Sequence, residues 1–164
     1  MRILIAAAGR ASRADGETAL ATGYLKNAAA HGARLGFGAM ALREVEDRRS
    51  RPDATEAAHR RQREGELLLA QAPQGAVLVA LDGRGGEMSS ENFAAWLAQS
   101  RDQGCRDMVF FIGGADGLSD ALLAQAHKRL SLGAMTWPHM LARIMLAEQI
   151  YRAVTILANH PYHR

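Results

Sequence analysis

At 164 residues the chain has the length of one domain that buries a core of its own, and 48% hydrophobic against 23% charged residues is an ordinary globular balance. A single cysteine, Cys105, excludes an internal disulfide and any cysteine-rich metal site. A formal charge of +3 with a pI near 9.5 leans toward a phosphate-bearing partner without demanding one.

The opening run Met1–Ala8 has the look of a signal start, but Gly9 and Arg10 cut it short, and a buried strand over Ile3–Ala8 explains it better. No stretch has the uninterrupted apolar length that crosses a bilayer, so a cytoplasmic protein is expected. A helix over Glu17–Ala30 follows, with Leu20, Tyr24 and Ala28 on one face, and Gly32 and Gly36 break it. Phe37–Val45 reads as a weak strand. Residues 47–53 form the most polar segment and read as an exposed loop. Asp53 or Thr55 can cap a helix that runs to about Ala72, where Pro73 and Gly75 end it.

Ala76–Leu81 reads as a buried strand closed by the turn Asp82–Gly86. Ser89 or Ser90 caps the next helix, whose apolar stripe is Phe93, Trp96 and Leu97, and Gly104 stops it. Met108–Ile112 is another strand, and Ser119 opens a short helix to Lys128. Leu130–Thr136 reads as the last strand, closed by Pro138, before a long helix over Leu141–Leu157 that is apolar on more than one side. This alternation predicts an α/β fold: a mostly parallel sheet with helices on both faces, in a single domain over 1–164. The last helix needs two apolar neighbours. The sheet supplies one, and the same helix of a second subunit can supply the other, although a plain core helix fits the same pattern.

Ligands of open α/β sheets gather beyond the carboxyl ends of the strands. Three such ends are unusual here: Leu81-Asp82-Gly83, Gly113-Gly114, and the segment Leu132 to Trp137. Each taken alone makes a tight turn; together they predict one pocket. The run Ile112–Gly117 lacks the lysine and Ser/Thr of a phosphate-binding loop, and the first strand is not followed by a dinucleotide fingerprint. A cofactor without phosphates, such as S-adenosylmethionine, suits that pocket. His139 follows Pro138 where strand gives way to helix and should lie at the rim, as a proton acceptor or as a cap.

Arg143 and Arg152, about two and a half turns apart on the last helix, read as a pair pointing the same way, to clamp phosphates or to form surface ion pairs, for example with Glu148. His160 and His163 have a metal-like spacing but no third ligand, so no metal is expected. The last residues, Asn159 to Arg164, are polar and ring-rich. Tyr162 and His163 suit stacking on bases, and Arg164 suits a phosphate contact. The arginines between Arg48 and Arg63 would add sequence-independent attraction for RNA, or simply solvate a loop and a helix face.

IGGADG, then LSLGAMTWPH, then LARIMLAEQIYRA and a final NHPYHR together resemble the RlmH (YbeA-type) methyltransferases of the SPOUT superfamily, densely so from Phe110 to Arg164. The LDGRG after the third strand fits as well, while the first half agrees in element order more than in residues. The resemblance implies a deep trefoil α/β knot, a homodimer and S-adenosylmethionine as cofactor. It implies methylation of the N3 nitrogen of a pseudouridine in large-subunit ribosomal RNA on the assembled ribosome, with neither DNA nor a membrane as partner. Cofactor contacts carry over as Leu81, Gly113, Leu132, Gly133, Ala134, Met135, Thr136 and Trp137. The catalytic set carries over as His139, Arg152, Tyr162, His163 and Arg164. Three departures stand out: IGGADG where IGGPEG is usual, Gly133 where serine is common, and Trp137 where leucine is common. A SPOUT enzyme acting on another RNA, such as transfer RNA, or a non-catalytic ribosome-associated factor would show the same core.

Overall fold

The computed structural model describes residues 1–9, 16–47 and 57–163. The basic loop beyond Asp47, the proposed caps Asp53 and Thr55, and Arg164 lie outside the described residues. Among the described residues five strands alternate with five helices: β1 Arg2–Ala8, α1 Gly16–Gly32, β2 Met40–Val45, α2 Ala57–Leu69, β3 Val77–Gly86, α3 Ser90–Asp102, β4 Asp107–Ile112, α4 Asp120–Gln125, β5 Lys128–Leu130 and α5 His139–Leu157. Short 3-10 turns occupy Ala33–Leu35 and Pro161–His163.

The strands form one sheet in the order β2-β1-β4-β3-β5, and every pairing is parallel. Side chains alternate between its faces, as the two-residue period of a strand requires. Ile3, Ile5 and Ala7 of β1, with Met108, Phe110 and Ile112 of β4, pack under α1, α3 and α5. Ala6 and Ala8, with Val109 and Phe111, face α2 and α4. Burial on both faces is why β1 and β4 read as continuous apolar runs. Ser89 and Ser119 cap α3 and α4, their hydroxyls accepting from the N–H groups of Asn92 and Leu122 at 3.2 and 3.3 Å.

Several boundaries differ from the sequence expectation: β3 runs on to Gly86 through the segment read as its closing turn, and α2 ends at Leu69 rather than Ala72. The first strand after α1 begins at Met40 rather than Phe37. The short helix stops at Gln125, so Lys128 already belongs to β5. The expected strand over Leu130–Thr136 is replaced by β5 at Lys128–Leu130, and the chain from Ser131 to Trp137 has no regular structure. The cause lies in β3. Both Leu81 and Gly86 face Leu130 across the register, so the four residues between them bulge out, and the Gly86 carbonyl accepts from the Ser131 N–H at 3.0 Å. The 82–85 excursion lies hard against β5: a Cβ on Gly85 would stand 2.7 Å from the carbonyl carbon of Arg129, a distance only glycine permits. Beyond that crossing β5 has no further partner, and Ser131 folds its hydroxyl onto the backbone of Gly133 at 3.1 Å.

Candidate active site

A cavity of about 820 Å³ opens beyond the carboxyl ends of β4 and β5 and beside the excursion of β3. Leu81 on β3, Gly113 after β4, and Leu132, Gly133, Ala134, Met135, Thr136 and Trp137 all line it, with His139 at the start of α5. The three strand ends singled out in the sequence therefore converge. Met135 is 71% exposed and Trp137 37%, apolar area that the core does not use. At Gly83, Gly117 and Gly133 the wall is bare backbone, and a Cβ there would meet nothing within 4 Å. Charges collect on the lining at Arg61, Asp82, Arg84, Asp116 and Asp120. Arg84 pairs with Asp82 at 2.8 Å and holds its carboxyl below the usual range.

The turn after β4 is tight: the Gly117 N–H donates to the Gly114 carbonyl at 3.1 Å, and a Cβ on Gly113 would lie 2.4 Å from the carbonyl carbon of Gly117. Helix α2 latches this turn from outside. Arg60 Nε donates to Asp116 Oδ2 at 2.7 Å, so the acid of IGGADG has a partner 56 residues away. Glu64 lies against Gly114 and accepts a backbone hydrogen bond from it. Burial, and then the charge of Asp116, push the Glu64 carboxyl up. Its Oε2 is buried without a hydrogen-bond partner among the described residues. The sequence reads Arg60 only as one of the arginines between Arg48 and Arg63 and does not mark Glu64, because nothing local shows that either packs on the turn.

At the opposite wall His139 occupies the first position of α5, and Pro138 stands at the cap, so His139 is not a capping residue. Burial, then the positive charge of Arg143, hold its imidazole below the ordinary value, with Glu17 opposing. Arg143 itself corrects the sequence reading. Nine residues along a helix amount to about two and a half turns, which put Arg143 and Arg152 on opposite faces rather than one. Arg143 is 1% exposed; it donates to Glu44 Oε1 at 2.8 Å and to the carbonyls of Ala8 and Gly9 at 2.6 and 2.8 Å. It ties α5 to the ends of β1 and β2 and is not a phosphate clamp. Arg143→Met should cost about 3 kcal/mol, since a buried ion pair that loses one partner leaves the other side uncompensated. Urea unfolding measures it, and an unchanged midpoint would contradict that structural role.

A family model described as "Predicted SPOUT methyltransferase" matches residues 1–163. The chain belongs to the SPOUT methyltransferases. A protein named ribosomal RNA large subunit methyltransferase H from Dinoroseobacter shibae is 51% identical over 164 residues, which cover 100% of this chain and 99% of that one. The protein of the same name from Paracoccus denitrificans is 52% identical with the same coverage, and that from Methylocella silvestris is 47% identical. The α/β class and the parallel sheet expected from the sequence are those observed.

Within this SPOUT chain the expected catalytic set divides. His139 is in the cavity, whereas Arg152, Tyr162 and His163 gather at the far end of α5. The Arg152 guanidinium donates from Nε and the adjacent Nη2 to Glu148 Oε1 at 2.9 and 2.6 Å, and lies over the Tyr162 ring, 5.1 Å from its centroid. His163 Nε2 sits 3.2 Å from Glu91 Oε1. The basic face of α2 is also committed: Arg60 pairs with Asp116, Arg63 with Asp47 at 2.6 Å, and Arg61 lies 3.8 Å from Asp120. Arg60 and Arg63 are thus paired within the fold, whereas the Arg61 contact is long and reaches an exposed carboxylate.

Proposed function

We propose that this chain transfers the methyl group of S-adenosylmethionine to the N3 nitrogen of a pseudouridine in large-subunit ribosomal RNA, on the assembled ribosome and as a homodimer. The observation that carries the reading is the convergence of three strand ends on one cavity with a histidine at its rim. The relatives named for ribosomal RNA methylation, about half identical over the whole chain, support the choice of substrate. Family membership likewise implies the trefoil knot, and the 82–85 excursion pressed against β5 is a crossing it would use.

The cavity suits the cofactor. Leu81, Leu132, Met135 and Trp137 offer apolar walls to an adenine. The bare backbone at Gly83, Gly117 and Gly133 leaves room for close approach, and the mixed charges of the lining match a zwitterionic amino-acid end. When bound, S-adenosylmethionine supplies an electrophilic methyl carbon beside a positively charged sulfur. The rest is the work of the protein's own groups. An imide nitrogen is a good nucleophile only after losing its proton, and His139, kept neutral by burial and by Arg143, is placed to take it. Arg152, Tyr162, His163 and Arg164 would hold the base and its backbone. Along α5, His139 and Arg152 stand about 20 Å apart. An arm at one end of the helix therefore serves the cavity of a second subunit more readily than its own, which favours the homodimer. No described helix is long and apolar enough to cross a membrane, and the substrate places the enzyme with ribosomes in the cytoplasm.

Incubation of assembled ribosomes, free subunits and transfer RNA with methyl-labelled cofactor tests the reading. Label should enter assembled ribosomes; label confined to transfer RNA would redirect the substrate, and no label anywhere would remove the activity. His139→Ala should lower kcat by about 10²- to 10⁴-fold. Because His139 titrates below the ordinary imidazole range, the acid limb of kcat/KM should fall there as well. A limb at or above the ordinary value would assign the proton to another group.

A further inference from the structure

One carboxylate gathers the far end of α5 into a single unit. Glu148 Oε1 accepts from Arg152 Nε at 2.9 Å, from its neighbouring Nη2 at 2.6 Å and from the Tyr162 hydroxyl at 3.2 Å. Its Oε2 accepts from Gln149 Nε2 at 2.8 Å. The guanidinium that Glu148 orients covers one side of the Tyr162 ring, and the Tyr151 ring packs against it with centroids 4.6 Å apart. The turn Pro161–His163 is thus held to α5 at the ring by Arg152 and Tyr151, and at the hydroxyl by Glu148.

We infer that Glu148 is the positioning residue of the carboxyl-terminal arm, acting through Arg152 and Tyr162 to set the direction in which the turn presents His163. The inference rests on the proposed action of this arm on RNA. An ordinary ion pair one helical turn apart contributes little to a helix. Here the same carboxylate also reaches a residue fourteen positions away, on a different element. The Glu148 side chain is 17% exposed and Arg152 29%, so water weakens the cluster only in part. An arginine released from such a carboxylate regains its rotamers, and the arm must then be ordered anew at each encounter with RNA.

The test uses the full chain and E148Q, which keeps the shape and removes the charge. Cofactor affinity by calorimetry and the melting temperature should change little, while kcat/KM on assembled ribosomes falls by about 10²-fold, the penalty of a slightly misplaced reacting partner. Tyr162, whose hydroxyl is pushed up to about 12 by burial, by a hydrogen bond with Tyr24 and by the charge of Glu148, should ionise earlier in an ultraviolet titration of E148Q. In a cycle with R152Q the double variant should lose no more than the worse single variant, because Glu148 acts through Arg152. E148D, which keeps the charge one methylene short, should recover part of the loss. Wild-type turnover by E148Q, losses that multiply with R152Q, or no recovery by E148D would each overturn the inference. If the wild type methylates no RNA, the proposed function fails but the titration still bears on this point: an unmoved Tyr162 midpoint would show that Glu148 does not reach the arm, and would overturn the inference.

Discussion

Gly113→Ala should reduce cofactor affinity by at least about 100-fold and cost about 3 kcal/mol of stability, the upper range for an overpacked site. The added methyl would stand 2.4 Å from the carbonyl carbon and 2.6 Å from the carbonyl oxygen of Gly117. Those are backbone atoms, so no rotamer change relieves the clash, and the turn has to open. It cannot open freely. Arg60 grips Asp116 from α2, Glu64 sits on Gly114, and β4 behind the turn is paired on both edges. The strain therefore falls on the lining of the cavity, where Gly113 and Gly117 both contribute wall. Calorimetric titration with S-adenosylmethionine and urea unfolding read the two effects separately. Wild-type affinity in a folded Gly113→Ala chain would show that the turn is not part of the cofactor site.

Much of this arrangement is legible in the sequence, and the boundary of legibility has a physical form. Continuous apolar runs expose β1 and β4 because each is buried on both faces, and Ser89 and Ser119 announce α3 and α4 because a cap is a local hydrogen bond. The convergence of Leu81, Gly113 and the 132–137 segment follows once the strands are parallel, since all their carboxyl ends then lie at one edge. What escapes is whatever depends on pairing across the chain. Leu130–Thr136 has strand-like composition, yet the excursion of β3 uses up its partner at Leu130, and the ladder ends there. Arg143 looks like a surface cation until Glu44, 99 residues earlier, and the carbonyls of Ala8 and Gly9 are brought beneath it. The Arg60–Asp116 latch spans 56 residues and leaves no periodic trace. The knot, the cofactor and the RNA target are what the family implies, and hydrophobic patterning contains none of them.

Deletion of Tyr162, His163 and Arg164 should lower turnover on ribosomes by at least about 10³-fold, a loss on the scale of positioning and proton-transfer effects combined. Cofactor affinity should stay near the wild-type value, because Tyr162 and His163 form no part of the wall of the large cavity. The fold should survive as well. Tyr162 and His163 are only half-buried, and their contacts include a hydroxyl on Glu148 and near Tyr24, a ring against Tyr151 and Arg152, and a histidine beside Glu91. Removing them uncovers the end of α5 without opening the core between α5 and the sheet, where Leu146, Ile150 and Val154 stay enclosed. A shift of a few degrees in melting temperature is expected for losses at such a margin. The informative result is the split between two measurements on one sample: saturable binding of S-adenosylmethionine with no transfer of label to ribosomes. Mixed dimers sharpen it, since one intact arm and one His139→Ala cavity can be placed on the same or on opposite chains. If the arm serves the partner's cavity, the chain that lacks an arm must keep His139 and its partner must keep the arm. Full turnover by the truncated homodimer would end the role assigned to the arm, and with it the reason for the helix to carry the set that Glu148 organises.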